Sequence, residues 1–384
     1  MQVLCVAFGQ KGRCEMKLFE IPMLAMSLVG LGLLSGFDTP PAHADFMFGE
    51  PVNLGPLLNT EYDDSSPFIS ADGLSLYFTS NRPGGSGDYD IWITTRATTA
   101  DPWSEPINLG SRINTPYIEW HPSMTADGLE LYFDSDRPGG AGYWDLWVAK
   151  RKSTNDDWGT PVNLGPTINT PGAEESSNIS PDGLVLRWAS DRPGGHGYGD
   201  IWATTRATRD DPWSEPVNLG STINTKNLEA NAVISADNLV LFFAGDAWPD
   251  GYGDFDIWMS RWSAADAAWQ TPVNLGPAIN TPNSEYCPSV SSDGTTLYFS
   301  DWPLYRPGGH GAEDIWQAPI IRIVDFNADK KVDLVDLVML IDDWGTNKTL
   351  CDIGPFAWGD GKVDIEDLKV FMTYFEKANP PVKP

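Results

Sequence analysis

Histidine is nearly missing from this chain, with four residues in 384 against 17 tryptophans. Cysteine is as rare, also four, and Cys5 and Cys14 fall in the first short stretch. Cys287 and Cys351 are then left far apart, so no disulfide framework is implied, although a bond between the two stays open. Positive charge is scarce as well: 25 Lys and Arg stand against 53 Asp and Glu, a net charge of −28. Residues 1 to 44 hold three charges of each sign, so the imbalance belongs to the rest of the chain. Such a surface repels phosphate backbones and anionic lipid headgroups, and cations are its natural counterpart. There is no Gly-x-Ser-x-Gly, His-Glu-x-x-His or glycine-rich phosphate loop, which leaves the common catalytic signatures out. Long apolar runs are also absent. The longest, Ile21 to Phe37, is short for a membrane span.

That run follows Lys11, Arg13 and Lys17 and precedes Ala42-His43-Ala44. A basic segment, an apolar segment and an A-x-A site describe a cleaved export signal over residues 1 to 44, with a retained anchor as the alternative. Met16 is an alternative start. The expected location is secreted, periplasmic or cell-surface.

What the chain has in quantity is glycine, proline and tryptophan, and it has them periodically. Pro-Val/Ile-Asn-Leu-Gly recurs at Asn53, Asn108, Asn163, Asn218 and Asn274. Asn-Thr follows at Asn59, Asn114, Asn169, Asn224 and Asn280, and a Ser/Thr-x-Asp turn at Asp72, Asp127, Asp182, Asp237 and Asp293. Asp-Ile/Leu-Trp closes each copy at Trp92, Trp147, Trp202, Trp258 and Trp316. Each copy reads as four short strands with no helix between them: Pro67–Ser70, then Leu74 to Phe78, Asp90–Thr95, and Trp103–Leu109. Four strands per repeat predict a β-propeller. The Ile-Ser-x-Asp-Gly-Leu-x-Leu-Tyr-Phe-x-Ser…Asp-Ile-Trp pattern resembles the TolB-type, WD-like propeller repeat over about residues 46 to 322. That resemblance makes Phe46–Leu54 an orphan outermost strand completing the last blade, which closes the ring at five. Blade three carries Arg187-Trp188 in place of Tyr-Phe. Blade four has Asn238 for Gly and Ala247-Trp248-Pro249-Asp250 for Arg-Pro-Gly-Gly, and blade five inserts residues 302 to 305. Loop departures of this kind point to function more readily than to folding.

Beyond residue 322 the pattern changes. Asp325, Asn327, Asp329, Asp333 and Asp336 stand at positions 1, 3, 5, 9 and 12 of a calcium loop, and Lys331 supplies the position 7 carbonyl. A second copy holds Asp360, Lys362, Asp364 and Asp367. Asp352 is its candidate first ligand, displaced by an insertion. Each loop leads into a helix. The duplicated loop-helix with Asp at position 12 resembles the type I dockerin module over residues 323 to 377, with Lys330 where glycine is usual. The resemblance implies structural calcium and docking onto a cohesin-like or envelope partner, or packing against the chain's own upstream domain. The expected architecture is therefore all-β, a five-bladed propeller (45–322) whose last blade joins both ends. A small α-helical, calcium-binding dockerin-like domain (323–377) and a tail (378–384) follow.

Asp64, Glu119, Glu174, Glu229 and Glu285 each open an innermost strand, and would ring the mouth of the central channel. Like charges that close cannot all stay ionised and unpaired. Either they pair with Arg82, Arg137, Arg192 and Arg306, which leaves Glu229 without an arginine, or they form a site for a cation or polar ligand. Trp144, Trp248 and Trp302 lie in loops of the same face, and Trp120 adjoins Glu119. Flat aromatic faces beside carboxylates suit sugar rings. The leading expectation is a non-catalytic propeller that binds a glycan or protein and is tethered by its tail, a role compatible with polysaccharide degradation. The rivals are a glycoside hydrolase, for which the doubled Glu174-Glu175 offers an acid/base or nucleophile, and a structural envelope protein.

Overall fold

A computed structural model describes residues 46 to 380 apart from 265, 304 and 305; the expected export signal lies outside the described residues. Five antiparallel sheets of four or five strands are arranged around a central channel. The first runs Asp64–Ile69, Ser75–Ser80, Asp90–Thr95 and Ile107–Asn108 from the inside out. The outermost strand is only two residues long, shorter than the sequence pattern suggested, because Asn108 ends the ladder to accept from Gly110 N. The last blade pairs Asp314–Arg322 with both Phe46–Phe48 and Val52–Asn53, so the two ends of the repeat region complete one sheet.

The repeated residues explain themselves through hydrogen bonds. Asn114 is fully buried; its Oδ1 accepts from Ile91 N at 3.0 Å, and its Nδ2 donates to Ile91 O and to Asn108 Oδ1, each at 2.9 Å. A buried strand interrupted at its outer edge leaves polar backbone groups without a ladder partner, and the asparagine amide supplies both. Asn169, Asn224 and Asn280 do the same for Leu146, Ile201 and Ile257. Asn59 does it for Ile315, from the opposite end of the repeat region. In the hairpin turns, Asp72 Oδ1 accepts from Ser70 Oγ and Leu74 N while Gly73 takes φ +70°. Asn238 holds φ +63° at the same place in blade four. Asparagine tolerates the left-handed region better than other side chains, so this departure is conformational, contrary to the functional reading of the loop changes.

The tail has its own core of Val324, Phe326, Leu340, Cys351, Ile353, Val363 and Phe371. Helices α1 (Leu334–Asp342) and α2 (Ile365–Ala378) each start on a capping box, Asp333 with Asp336 and Asp364 with Asp367. One segment leaves this core and enters the propeller's. Ala357 and Trp358 belong to the cluster that contains Phe46, Phe242, Phe299 and Trp316. Trp358 is 2% exposed, stacks on Phe356 at 5.3 Å, and meets Phe46 and Phe242 edge-on. Its Nε1 donates to Asp237 Oδ2 at 2.7 Å, and its carbonyl accepts from Arg261 Nη1 at 2.6 Å. Arg322 Nε adds a bond to Ile353 O at 3.0 Å. A side chain at Gly294 would come within 2.7 Å of the Trp358 ring, so glycine is needed there for packing as well as for its φ of +66°.

Candidate functional site

Asp64, Glu119, Glu174, Glu229 and Glu285 do not face solvent at the channel mouth: all five are 0% exposed. Each instead ties its own blade to the preceding loop. Glu119 accepts from Thr115 N and Thr115 Oγ1 at 2.7 and 2.6 Å and from Arg137 Nη2 at 2.8 Å. Arg82, Arg192 and Arg306 serve Asp64, Glu174 and Glu285 in the same manner, at 2.5, 3.3 and 3.2 Å. In blade four Trp248 replaces the arginine: its Nε1 donates to Glu229 Oε1 at 2.7 Å, and its ring packs on Trp258 and Phe243. Trp248 is therefore an internal donor in this structure and not an open contact surface. The physical reason is economy of desolvation. A carboxylate with three donors tolerates burial, whereas a bare ring of five would not.

Burial still outweighs those donors in part. The carboxyls of Glu119 and Asp301 are both pushed up to about 7 by desolvation, against the opposing pull of Thr115 and Arg137 in one case and of Trp316 and Arg306 in the other. Above the unfolded values near 4 and below about 7, the folded chain holds protons that the unfolded chain has released. Stability must then fall as pH rises through that window. Urea midpoints are expected to be higher at pH 5.5 than at pH 8, corresponding to an unfolding free energy larger by on the order of 2 kcal/mol. A midpoint that rises with pH over this range would refute it.

The groups that do converge on the channel stand two residues further on. Ser66, His121, Ser176, Asn231 and Cys287 occupy one equivalent position in the five inner strands, each with φ between 46° and 57°. The register of every inner strand slips at this point, as in a β-bulge, and turns these side chains onto a cavity of about 40 Å³. His121 Nδ1 lies 3.0 Å from Asp134 Oδ1. Burial opposes its positive charge, but Asp134 and the Cys287 sulfur together hold its pKa well above the ordinary value. No repeated residue type marks this position, so sequence periodicity could not find it.

Around the mouth, rings are stacked between blades one and two. Tyr89 stacks on Trp120 at 5.0 Å, Trp120 on His121 at 5.1 Å, and Trp144 meets Trp120 edge-on at 6.1 Å. Tyr143, 73% exposed, continues the group from Trp144 into solvent. Tyr89 Oη donates to Asp63 Oδ2 at 2.7 Å. Glu175 and Glu313 border it, and burial raises the pKa of both carboxyls. Trp302 is exposed on blade five, away from this group.

The chain's own five sheets show its fold. The chain is a five-bladed β-propeller. No family model matches it, and no curated protein matches it. Among solved structures it is similar to TolB from Acinetobacter baumannii, at 15% identity and a TM-score of 0.42, over 68% of this chain. The match spans only 56% of that TolB chain. It is also similar to the α-L-arabinofuranosidase PaAbf62A from Podospora anserina, at 13% identity and a TM-score of 0.48, covering 72% of this chain and 98% of that one. A family 117 glycoside hydrolase, Zg3597 from Zobellia galactanivorans, gives 12% identity and 0.48 over 73% and 92%. At such identities the likeness concerns the fold only.

In the tail the two loops share one backbone frame. Asp325 accepts from Asp329 N and Lys330 N at 3.1 and 2.7 Å; Asp352 accepts from Asp360 N and Gly361 N at 2.9 and 2.7 Å. Asp336 and Asp367 each accept from the second, third and ninth residues of their loops. Lys330 and Gly361 take φ +70° and +92° at the sixth position, where the sharp turn falls. Asp352 thus occupies the first position of the second loop, and residues 355 to 358 are the insertion. That loop has Gly354 at its third position and lacks the side-chain oxygen that Asn327 offers. The donor set, Asp325, Asn327, Asp329, Lys331, Asp333 and Asp336 in one loop and Asp352, Asp360, Lys362, Asp364 and Asp367 in the other, is all oxygen, the donor chemistry that hard cations take. Among the described residues, no three His, Cys, Asp or Glu side chains are gathered about a common point. No helix among them is long and apolar enough to cross a membrane.

Proposed function

We propose that this is an exported, non-catalytic binding protein whose loop face takes a neutral glycan and whose tail, a calcium-stabilised dockerin-like module, tethers it to a partner. The observation that supports the first half is the aromatic group Tyr89, Trp120, Trp144 and Tyr143, which leads from the channel mouth to open solvent. Rings of this kind stack on the apolar faces of sugars, and the bordering Glu175 and Asp63 offer hydroxyl acceptors. A surface with a net charge of −28 disfavours acidic polysaccharides. The second half is supported by α1, whose Leu334, Val335, Val338 and Ile341 are all exposed, a long apolar stripe on a helix with a folded core behind it. Calcium, held by the oxygen ligands of the two loops, would neutralise their crowded carboxylates. Removing it with a chelator is expected to melt α1 and α2 in circular dichroism, with Asp336→Asn reproducing the loss.

The full chain should be retarded in native gels containing single neutral polysaccharides, and Tyr143→Ala and Trp144→Ala should each weaken the retardation about tenfold. Retardation unchanged in both variants would refute the site. A glycoside hydrolase is the second reading, favoured by the raised pKa values of Glu175 and Glu313 beside the channel. Release of reducing ends from the retarding polysaccharide, lost in Glu175→Gln, would replace the binding reading with it.

A further inference from the structure

A cleft of about 530 Å³ opens on the loop face where the last blade meets the first. It is lined by Pro56, Glu61 and Tyr62 from the segment leading into blade one, by Arg82 and Pro83 from that blade, and by His310 from blade five. Small-ligand sites span about 300–1,000 Å³, so the space suits a ligand larger than an ion. Its walls are fixed. Asp64 N donates to Glu313 O at 3.0 Å across the seam, and a side chain at Gly311 would come within 2.1 Å of Tyr62 O. Thr60 is held by Asp64, and its Oγ1 accepts from Tyr62 N at 3.2 Å. Glu61, Tyr62 and His310 are nevertheless exposed, three different side chains on a rigid frame.

Gly87, Gly142, Gly197 and Gly253 make the same close approach at the other four seams, so the scaffold repeats and only the side chains differ. The equivalents of His310 and Glu61 are Ser86 and Pro116, Ala141 and Pro171, and Tyr252 and Pro282 at three of them. At the fourth, between blades three and four, His196 keeps the Gly-Gly-His-Gly context, but Lys226 and Asn227 replace Glu61 and Tyr62. The set at the closing seam also indicates its ligand. Tyr62 offers a flat ring, Glu61 accepts, Arg82 donates, and an imidazole can do either. Arg82 is already matched by Asp64, so Glu61 leaves the cleft one negative charge, which rejects acidic sugars. An ammonium ligand would use Glu61 and waste the donors, whereas a sugar hydroxyl uses both kinds.

We propose that this cleft is a second saccharide site, which takes one or two neutral sugar residues stacked on Tyr62 and hydrogen-bonded by Glu61 and His310. It shares no residue with the aromatic group of blades one and two and does not depend on it.

His196 provides an internal reference. The full chain, isotope-labelled at histidine, is titrated with maltose, cellobiose, lactose and xylobiose, and the imidazole signals are followed by NMR. His310→Gln and His196→Gln assign the two signals. At least one of these disaccharides is expected to shift His310 at millimolar concentration while His196 stays in place. Tyr62→Ala and Glu61→Gln, both at exposed positions, should each raise the dissociation constant about tenfold, and Trp144→Ala should leave it unchanged. No shift of His310 with any of these sugars, or equal shifts at both histidines, would overturn the proposal. Tighter binding of a glucosamine or galacturonic acid disaccharide would overturn it as well. A His310 response that persists when polysaccharide gels show no retardation would refute the aromatic group and leave this cleft standing.

Discussion

Trp358→Ala is expected to separate the tail from the propeller. The ring is 2% exposed between Phe356, Phe46 and Phe242, and truncating a buried tryptophan costs about 3–5 kcal/mol. The loss should be confined to docking. The tail keeps its own core, and the ring of blades keeps its strand pairing, since neither depends on the indole. The variant should show two thermal transitions where the natural chain shows one, a larger radius of gyration by small-angle scattering, and new cleavage near residue 323. Asp237→Ala, which removes only the acceptor for Trp358 Nε1 at 2.7 Å, should move in the same direction by about 1 kcal/mol. A single unchanged transition in Trp358→Ala would show that the contact contributes nothing to holding the parts together.

Arg137→Met should be the most damaging substitution in the propeller itself. It leaves Glu119, 0% exposed, with the Thr115 amide, the Thr115 hydroxyl and the Ser135 hydroxyl as donors and no countercharge. Removing one partner of a buried ion pair costs about 3–5 kcal/mol, because the other charge stays behind. Blade four supplies the comparison, since there the same carboxylate lives with an indole N–H in place of the guanidinium. Trp248→Phe should therefore cost only about 1–3 kcal/mol, the penalty for one lost donor to a buried acceptor. Denaturant midpoints of the two variants decide the matter. Equal losses would mean that the arginine's charge is irrelevant and that packing over Phe133 and Trp147 accounts for its presence.

The blades were legible in the sequence because their scaffold residues recur with the same duty. Asn59 and Asn114 differ in position but close the same pair of backbone groups, so their spacing carries the fold directly. The acids at Asp64 and Glu119 were visible for the same reason. Their burial was not, because a spacing tells which residues are equivalent and not which way they point. Trp248 looked like an open ligand contact since it broke the Arg-Pro-Gly-Gly pattern; the break conserves the donor and changes only its chemistry. The channel position failed in the opposite way. Ser66, His121, Ser176, Asn231 and Cys287 share a backbone conformation and no side-chain type, and a bulge leaves no composition signal. The insertion before Asp360 was legible as a displacement of Asp352; what it does was not, since Asp352 keeps its place in the loop and the extra residues are the part that reaches the propeller.

The joining of Phe46–Phe48 to Asp314–Arg322 has a consequence for how the protein is made. The first strand among the described residues is among the last to find its partner, since Phe46 faces Arg322 across nearly the whole propeller sequence. Four blades can form in order as the chain emerges, each from neighbouring strands, but the fifth has to wait for completion. Pairing over so long a loop is slow, and until it happens the waiting strand is an open edge with Phe46 and Phe48 exposed for mispairing. Export through a membrane before folding would suit such a chain, because strand closure then takes place once, on a finished molecule and away from the crowded ribosome.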